Sequence, residues 1–364
     1  MTFHIFHINE VYSNPDGTVQ FIEFTGDAND QDEWAGHTLT STSAAATHTY
    51  TFPTNLPSET TLNKSVLVAT QGFAALGLIT PDYIIPNGFL FTGSGSGTVT
   101  FPGMFGGTIT YTGLPVDGIK SLNRDGSTGT NSPANFSGET GTVPPNVLFG
   151  TDDPDNLTGT SGNDFVLAAG GDDTLNGLEG NDTLNGGLGA DTAIYSGNRA
   201  NYTVLGTSLG MTVSGTEGND TLTGIERFQF ADQKVAIDLN DGQAAGNTVR
   251  LIGAAFDAPT IQAHPDYVGI GLGLFDSGQS MLQVSQLVIG VLGNPDNDTF
   301  VDTVYQNVVG SAPSPADHNL YAGLLTGSGG TLSQAQLLEI AANSEVNTTN
   351  IDLIGLQQTG VEFS

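Results

Sequence analysis

From Gly150 the chain runs through five consecutive nonapeptides with no insertion: GTDDPDNLT, GTSGNDFVL, AAGGDDTLN, GLEGNDTLN and GGLGADTAI. The sixth position is always aspartate (Asp155, Asp164, Asp173, Asp182, Asp191), the eighth is aliphatic (Leu157, Val166, Leu175, Leu184, Ala193), and the first is glycine except at Ala168. A fixed short period of this kind is the signature of a solenoid and constrains the fold more than any other feature of the chain. Each unit reads as a glycine-rich turn of about six residues followed by a three-residue strand, because a tight turn requires left-handed backbone positions that glycine, asparagine and aspartate adopt at little cost. Two units complete one coil. Asp155, Asp173 and Asp191 are therefore expected along one edge, and Asp164 and Asp182 along the other.

Carboxylates stacked at the strand spacing of about 4.8 Å repel one another unless a cation lies between them. Residues 150–194 hold nine acidic side chains and no basic one, so nothing in the segment neutralises them. Ca²⁺ suits such a ladder, since it takes 6–8 oxygen ligands and turn carbonyls supply those that the carboxylates do not. The fourth-position glycines Gly162, Gly171, Gly180 and Gly189 are candidate contributors of that backbone oxygen. A further match, GTEGNDTLT at 215–223 with Asp220, stands outside the array and is expected as a cap or single turn.

These nonapeptides fit G-G-x-G-x-D-x-U-x and resemble the RTX (repeats-in-toxin) calcium-binding family over about 150–241. The stretch from Tyr195 to Leu239 resembles what commonly follows such repeats, and its apolar residues Ile225, Phe228, Phe230, Val235 and Ile237 read as a strand-rich cap. The resemblance implies several bound Ca²⁺ ions and export from a Gram-negative bacterium by type I secretion, with an uncleaved C-terminal signal. The tail IDLIGLQQTGVEFS, with Glu362 between Val361 and Phe363, is similar to such signals. The start, MTFHIFHINEV, has no basic n-region, apolar h-region or cleavage site of a Sec leader.

Seven Lys and Arg stand against 38 Asp and Glu, a formal charge of −31. Such a chain repels nucleic-acid phosphates and anionic lipid, which argues against both as partners. No stretch approaches the roughly 18 apolar residues of a membrane span, so no membrane insertion is expected. The absence of Cys excludes disulfides, thiolate metal sites and Cys nucleophiles.

Residues 1–143 carry short β-type runs such as VQFIEFTG, SVLVATQ and GTITYTG between Gly/Pro turns, the texture of an antiparallel sandwich. Ile8–Val11, Phe21–Phe24, Trp34, Gly36 and Leu39 resemble the lamin-tail-like, immunoglobulin-type domain. Trp34 reads as core. Glu10 and Glu23 fall on neighbouring runs; paired carboxylates can do acid/base work, but strand alternation places them on a solvated face or in turn-stabilising hydrogen bonds. His4, His7, His37 and His48 form no HxH or HxxxH cluster, which argues against a histidine metal site.

After Asn240 the texture turns helical, with apolar residues at 3–4 spacing in 281–292, 298–309, 317–325 and 331–342. Thr331 with Gln334 is expected as a capping box and Asp317 as an N-cap. Residues 300–345 resemble a bacterial domain related to phycobilisome linkers, with a weaker copy at 252–293; the activity of that family is not established. The expected fold is multidomain and mainly β: an Ig-like sandwich (1–143), a parallel β-roll with β cap (144–241) and a small helical domain (242–364).

No G-x-S-x-G elbow, HExxH, Walker A or Rossmann fingerprint is present. The chain therefore reads as a non-enzymatic, calcium-dependent extracellular protein that forms a homo-oligomer or polymer at the cell surface and could contact a cell-surface glycan. The alternative is a secreted hydrolase, or a monomeric carbohydrate- or protein-binding module. Acidic loops at 14–17, 26–33 and 294–298 could be further calcium-ligand clusters or merely solvated turns.

Overall fold

A computed structural model describes residues 5–92, 95–115, 117–207 and 210–364; His4 lies outside them. The chain divides after Val147 into two compact units. The second unit holds the nonapeptide region and the helices together.

The first unit is two sheets sharing one aromatic core. Strands β1 (Phe6–Ser13), β2 (Gln20–Gly26), β3 (Thr38–Ser43), β4 (Thr47–Thr51), β5 (Ser65–Thr70), β6 (Tyr83–Ile85), β7 (Ser96–Thr100), β8 (Thr108–Thr112), β9 (Lys120–Asn123) and β10 (Thr128–Thr130) form the orders β10-β9-β1-β2-β5-β6 and β4-β3-β7-β8. All pairings are antiparallel except β5 with β6. A short helix, α1 (Gln71–Ala75), follows β5. Trp34 lies fully buried at the centre, edge-on to Phe6, Phe24, Phe52 and Phe101 and stacked on Tyr83. Edge-to-face packing satisfies the ring quadrupoles as well as burying area.

Glu10 and Glu23 are not on a solvated face. They oppose each other at a register shift in β1–β2, and both are buried. Glu10 accepts from Ser132 N–H (3.0 Å) and Oγ–H (3.1 Å), while Glu23 accepts from Ser65 Oγ–H (2.8 Å) and Asn9 Nδ2 (3.3 Å). Ile22 and Phe24 flank Glu23 in the aromatic core, so both carboxylates lie on the opposite face of the sheet, buried there because the chain around Ser132 covers it. The acidic loop residue Asp16 is likewise spent on the turn, accepting from Thr18 N–H and Oγ1–H.

In the second unit, β11 (Val147–Phe149), β12 (Asn156–Thr158), β13 (Phe165–Leu167), β14 (Thr174–Asn176), β15 (Thr183–Asn185) and β16 (Thr192–Ile194) alternate between two sheets. The register is parallel and in step: Val166 lies beside Leu184, and Leu157 beside Leu175 beside Ala193. A hairpin excursion, β17 (Thr203–Thr207) and β18 (Gly210–Gly215), returns the chain into β19 (Gly218–Thr223), which pairs parallel with β15. The repeat at 215–223 is therefore a further coil of the roll rather than a separate turn. Strand β20 (Arg227–Gln229) extends the other sheet beyond β16, followed by β21 (Lys234–Ala236) and β22 (Val361–Phe363). The expected cap residues Ile225, Phe228, Phe230 and Val235 are buried here, with Ile237 packed against them.

Helices α2 (Ala244–Ala255), α3 (Ala258–Ala263), α4 (Pro265–Asp276), α5 (Met281–Val291), α6 (Asn297–Val309), α7 (Pro315–Ala322), α8 (Gln334–Ala342), α9 (Glu345–Asn350) and α10 (Leu353–Thr359) follow. Two caps differ from expectation. The capping box of α8 is Ser333 with Gln336, and the N-cap of α7 is Ser314, because Pro315 occupies the first helical turn and moves Asp317 inside it. Ala236, Leu239 and Val361 share a core with Val249, Val268 and Leu353, so the roll's cap and the helices are packed as one body. Across that seam the buried Arg227 pairs with Asp238 and, through both carboxylate oxygens at 3.1 Å, with Asp276. The acidic tail residue Glu362 sits in β22, the strand that closes this sheet.

Two outcomes follow. Burial, followed by the Glu10 charge, pushes Glu23 up to about 7 against the hydrogen bond from Ser65. The folded unit thus holds a proton that the unfolded chain releases near 4.5, so its stability falls as pH rises from about 4.5 to 7. Glu23→Gln should flatten that slope and raise stability at pH 8 by about 1–3 kcal/mol, read by thermal melts; an unchanged slope would contradict it. Arg227→Ala leaves the buried Asp238 without its ionic partner and frees the more exposed Asp276, and should cost about 3–5 kcal/mol in urea unfolding of the full chain. A loss under 1 kcal/mol would mean the pair does not hold the seam.

Candidate metal centre

The turns of the roll stack the sixth-position acids into two ladders. On one edge, Asp155 N–H donates to Asp173 Oδ1 (2.7 Å) and Asp173 N–H to Asp191 Oδ1 (2.8 Å). On the other, Asp164 N–H donates to Asp182 Oδ1 (2.9 Å) and Asp182 N–H to Asp220 Oδ1 (2.9 Å). Asp220 is thus the next rung of the Asp164–Asp182 edge. The first ladder ends on Glu226, whose Oε2 accepts from Asp191 N–H at 3.0 Å. Sequence reading passed over Glu226 because it breaks the nonapeptide frame; the register of β16 with β20 puts it in the sixth-position place. A second, outer ladder was also missed: Asn163 and Asn181 accept from the fifth-position N–H groups of Asn181 (2.8 Å) and Asn219 (2.9 Å). The recurring Asn-Asp pair carried that signal.

Beyond the first rungs, Asp155 and Asp164, one oxygen of each rung is committed to the ladder, and the remaining oxygen distinguishes the rungs. Asp155 Oδ2 accepts from Thr151 N–H (2.6 Å) and Oγ1–H (2.9 Å), and Asp164 Oδ2 from Thr160 N–H (2.7 Å). At Asp173, Asp182 and Asp191 the second position is Ala169, Leu178 or Gly187, each with a left-handed backbone, and Oδ2 is buried with no hydrogen-bond partner. These three residues are at most 2% exposed. An unpartnered carboxylate oxygen in such a place costs several kcal/mol of lost hydration unless a cation meets it.

The surrounding charges offer no relief. Burial pushes Asp182 up to about 6, and Asp220, Asp164 and Glu217 add to the rise. Burial likewise takes Asp191 to about 6, with Asp173 and Asp172 adding. Glu226 rises to about 7 by burial and by Asp191 and Asp238, against the nearby Arg227.

Backbone oxygen is close at hand. The fourth-position glycines stack in columns: a Cβ on Gly180 would lie 2.6 Å from Gly162 O, and one on Gly189 1.9 Å from Gly171 O. A Cβ on Gly186 would meet both Gly224 O (2.1 Å) and Asp191 Oδ2 (2.4 Å), so glycine is required where a carbonyl and a carboxylate oxygen crowd the same spot. Among the described residues no three His, Asp or Glu side chains converge as a self-sufficient metal cage. The donor set is instead paired carboxylates with backbone carbonyls, all hard oxygen, which fits Ca²⁺ and not a transition metal.

The family model of the RTX calcium-binding nonapeptide repeat matches residues 146–175, 158–193 and 212–224. The chain thus carries RTX calcium-binding repeats folded as a parallel β-solenoid. Among solved structures, the extracellular lipase LipA from Serratia marcescens is similar at 21% identity over 24% of this chain, with a TM-score of 0.22. The match spans only 15% of that lipase. No curated protein matches the chain.

Asp173→Asn, Asp182→Asn and Asp191→Asn should each weaken calcium binding at least about tenfold, whereas Asp155→Asn, whose second oxygen is already held by Thr151, should do so far less. Equilibrium dialysis with ion counting checks this. Equal losses across the ladder would contradict the division.

Proposed function

We propose that this chain is a secreted, non-enzymatic protein that folds on Ca²⁺ outside the cell and self-assembles at the cell surface as a surface-layer, matrix or adhesin subunit. The observation that carries the calcium part is the buried, unpartnered Oδ2 of Asp173, Asp182 and Asp191. When bound, Ca²⁺ supplies the positive charge that these stacked carboxylates lack. Without it, ladder repulsion and the cost of ordering glycine-rich chain stand uncompensated, so ion binding and folding are one event. Sites of extracellular strength, on the order of 10⁻⁴–10⁻³ M, stay empty at cytosolic calcium and fill outside. This supports export of an unfolded chain by type I secretion.

Assembly is supported by charge and by surface. At −31 the copies repel until divalent ions screen or bridge them. The helical region also leaves an apolar groove open between Val304, Tyr305, Val309, Ile340 and Val346, a surface of the sort that marks interaction sites. The lamin-tail-like resemblance of the first unit supports a binding role for it, with a cell-surface glycan as a candidate partner. The non-enzymatic reading draws support from that unit's broad groove near Tyr111 and Lys120. Its carboxylate, Asp117, accepts from the N–H groups of Ile119 (3.0 Å) and Lys120 (2.7 Å) and so serves the turn.

The test is far-UV circular dichroism with light scattering during a Ca²⁺ titration of chelator-stripped protein. Strand signal and particle mass should rise together and reverse with chelator. A rise in strand signal on a persistent monomer would overturn assembly, and no change in strand signal would overturn calcium-dependent folding.

A further inference from the structure

Glu217 is an acid the repeat pattern does not call for. It stands at the third position of the 215–223 repeat, the place that Glu179 takes in the coil stacked against it. Glu179 is exposed to solvent. Glu217 is not used in that way: Oε1 accepts from Ser196 N–H (3.0 Å) and from Ser196 Oγ–H, and Oε2 is buried with no partner. Its carbonyl accepts from Gly180 N–H (2.8 Å), which fixes this turn over the turn that carries Asp182. Asp182 is 2% exposed, and its own Oδ2 is likewise unpartnered. Asp220, the last rung on that edge, differs: its Oδ2 accepts from Tyr195 Oη–H at 2.9 Å. Two buried carboxylate oxygens on adjoining turns therefore lack partners while the third acid beside them is satisfied.

We propose that Asp182 and Glu217, completed by turn carbonyls, hold a terminal calcium ion that fastens the 195–217 excursion to the roll. The inference rests on the calcium reading of the ladder and adds a ligand from outside its repeating positions. Ser196 orients Glu217 by occupying one oxygen, leaving the other for the ion. Two carboxylates with carbonyl oxygen are a hard, irregular donor set of the sort that Ca²⁺ accepts and Mg²⁺, with its strict octahedron, does not. The excursion enters at Tyr195 and Ser196 and leaves at Glu217, so one ion ties both ends of the insertion to the coil before it.

Tyr195 and Tyr202 give this end of the roll its own signal. Residues 150–194 contain no Tyr or Trp, so Tb³⁺ bound along the array has no aromatic antenna there, whereas Tb³⁺ beside Glu217 lies next to Tyr195 and Tyr202, whose rings are 4.9 Å apart and whose hydroxyls meet Asp220 and Thr216. Titration of the full chain with Tb³⁺, excited at tyrosine, should give sensitised emission that the double variant Y195F/Y202F abolishes while strand signal in Ca²⁺ persists. E217Q keeps an acceptor for Ser196 and should lose most of that emission, with one fewer Ca²⁺ ion counted. E179Q and S196A should retain it, S196A separating a ligand from a mere loop hydrogen bond.

Emission in E217Q equal to that in E179Q would overturn the site while leaving the ladder intact, as would wild-type emission that Y195F/Y202F does not change. A wild type that neither folds nor binds ions would instead refute the ladder beneath it. If E217Q fails to gain strand signal, E217D, which keeps the charge but withdraws it by one methylene, takes its place in the comparison with E179Q.

Discussion

The second unit depends on one repeated interaction, the acceptance of a backbone N–H by a carboxylate one coil away. Five such bonds, 2.7–3.0 Å long, run through Asp155, Asp173 and Asp191 to Glu226 and through Asp164 and Asp182 to Asp220. Each satisfies a turn amide that no strand partner could reach. Each also buries a charge that water no longer solvates. The same contact therefore sets the coil spacing and creates the need for a cation. The atoms that define the geometry of the roll are those left short of counter-charge.

The ladder does not end in solvent. Glu226 is followed directly by Arg227, which is buried between Asp238 and Asp276, and Asp238 also accepts from Ala245 N–H at the start of α2. The apolar core of the cap continues into the helices through Ala236, Leu239 and Val361. Ordering of the turns is thereby passed to the helical region through contiguous bonds and packing. The first unit has a different basis. It closes around Trp34 and five aromatic rings.

The nine-residue period was legible because every position has one physical task, so strand, turn and edge followed from spacing alone. Asp220 was legible as a repeat but not as a rung, since only the return of the β17–β18 hairpin restores it to the Asp182 edge. Glu226 was hidden by a shortened turn in which Gly224 and Ile225 replace the usual run. Glu217 was hidden because third positions are ordinarily exposed, as at Glu179. Glu10 and Glu23 were misplaced for a different reason: strand alternation does send them away from the Trp34 core, but the chain around Ser132 covers that face of the sheet. The helices were legible from periodicity, whereas their first turns shifted by a few residues at Ser314 and Ser333, where proline and a second serine competed with the expected caps.

The most direct test of this account is amide hydrogen exchange of the full chain in chelator and in saturating Ca²⁺. The ladder predicts that the amides of Asp155, Asp164, Asp173, Asp182 and Asp191 gain protection together on calcium addition. Protection should extend in the same step through Arg227 into α2 and α4, and strands β1 to β10 should be protected in both conditions. Ladder amides already protected in chelator would contradict the claim that the stacked carboxylates require the ion.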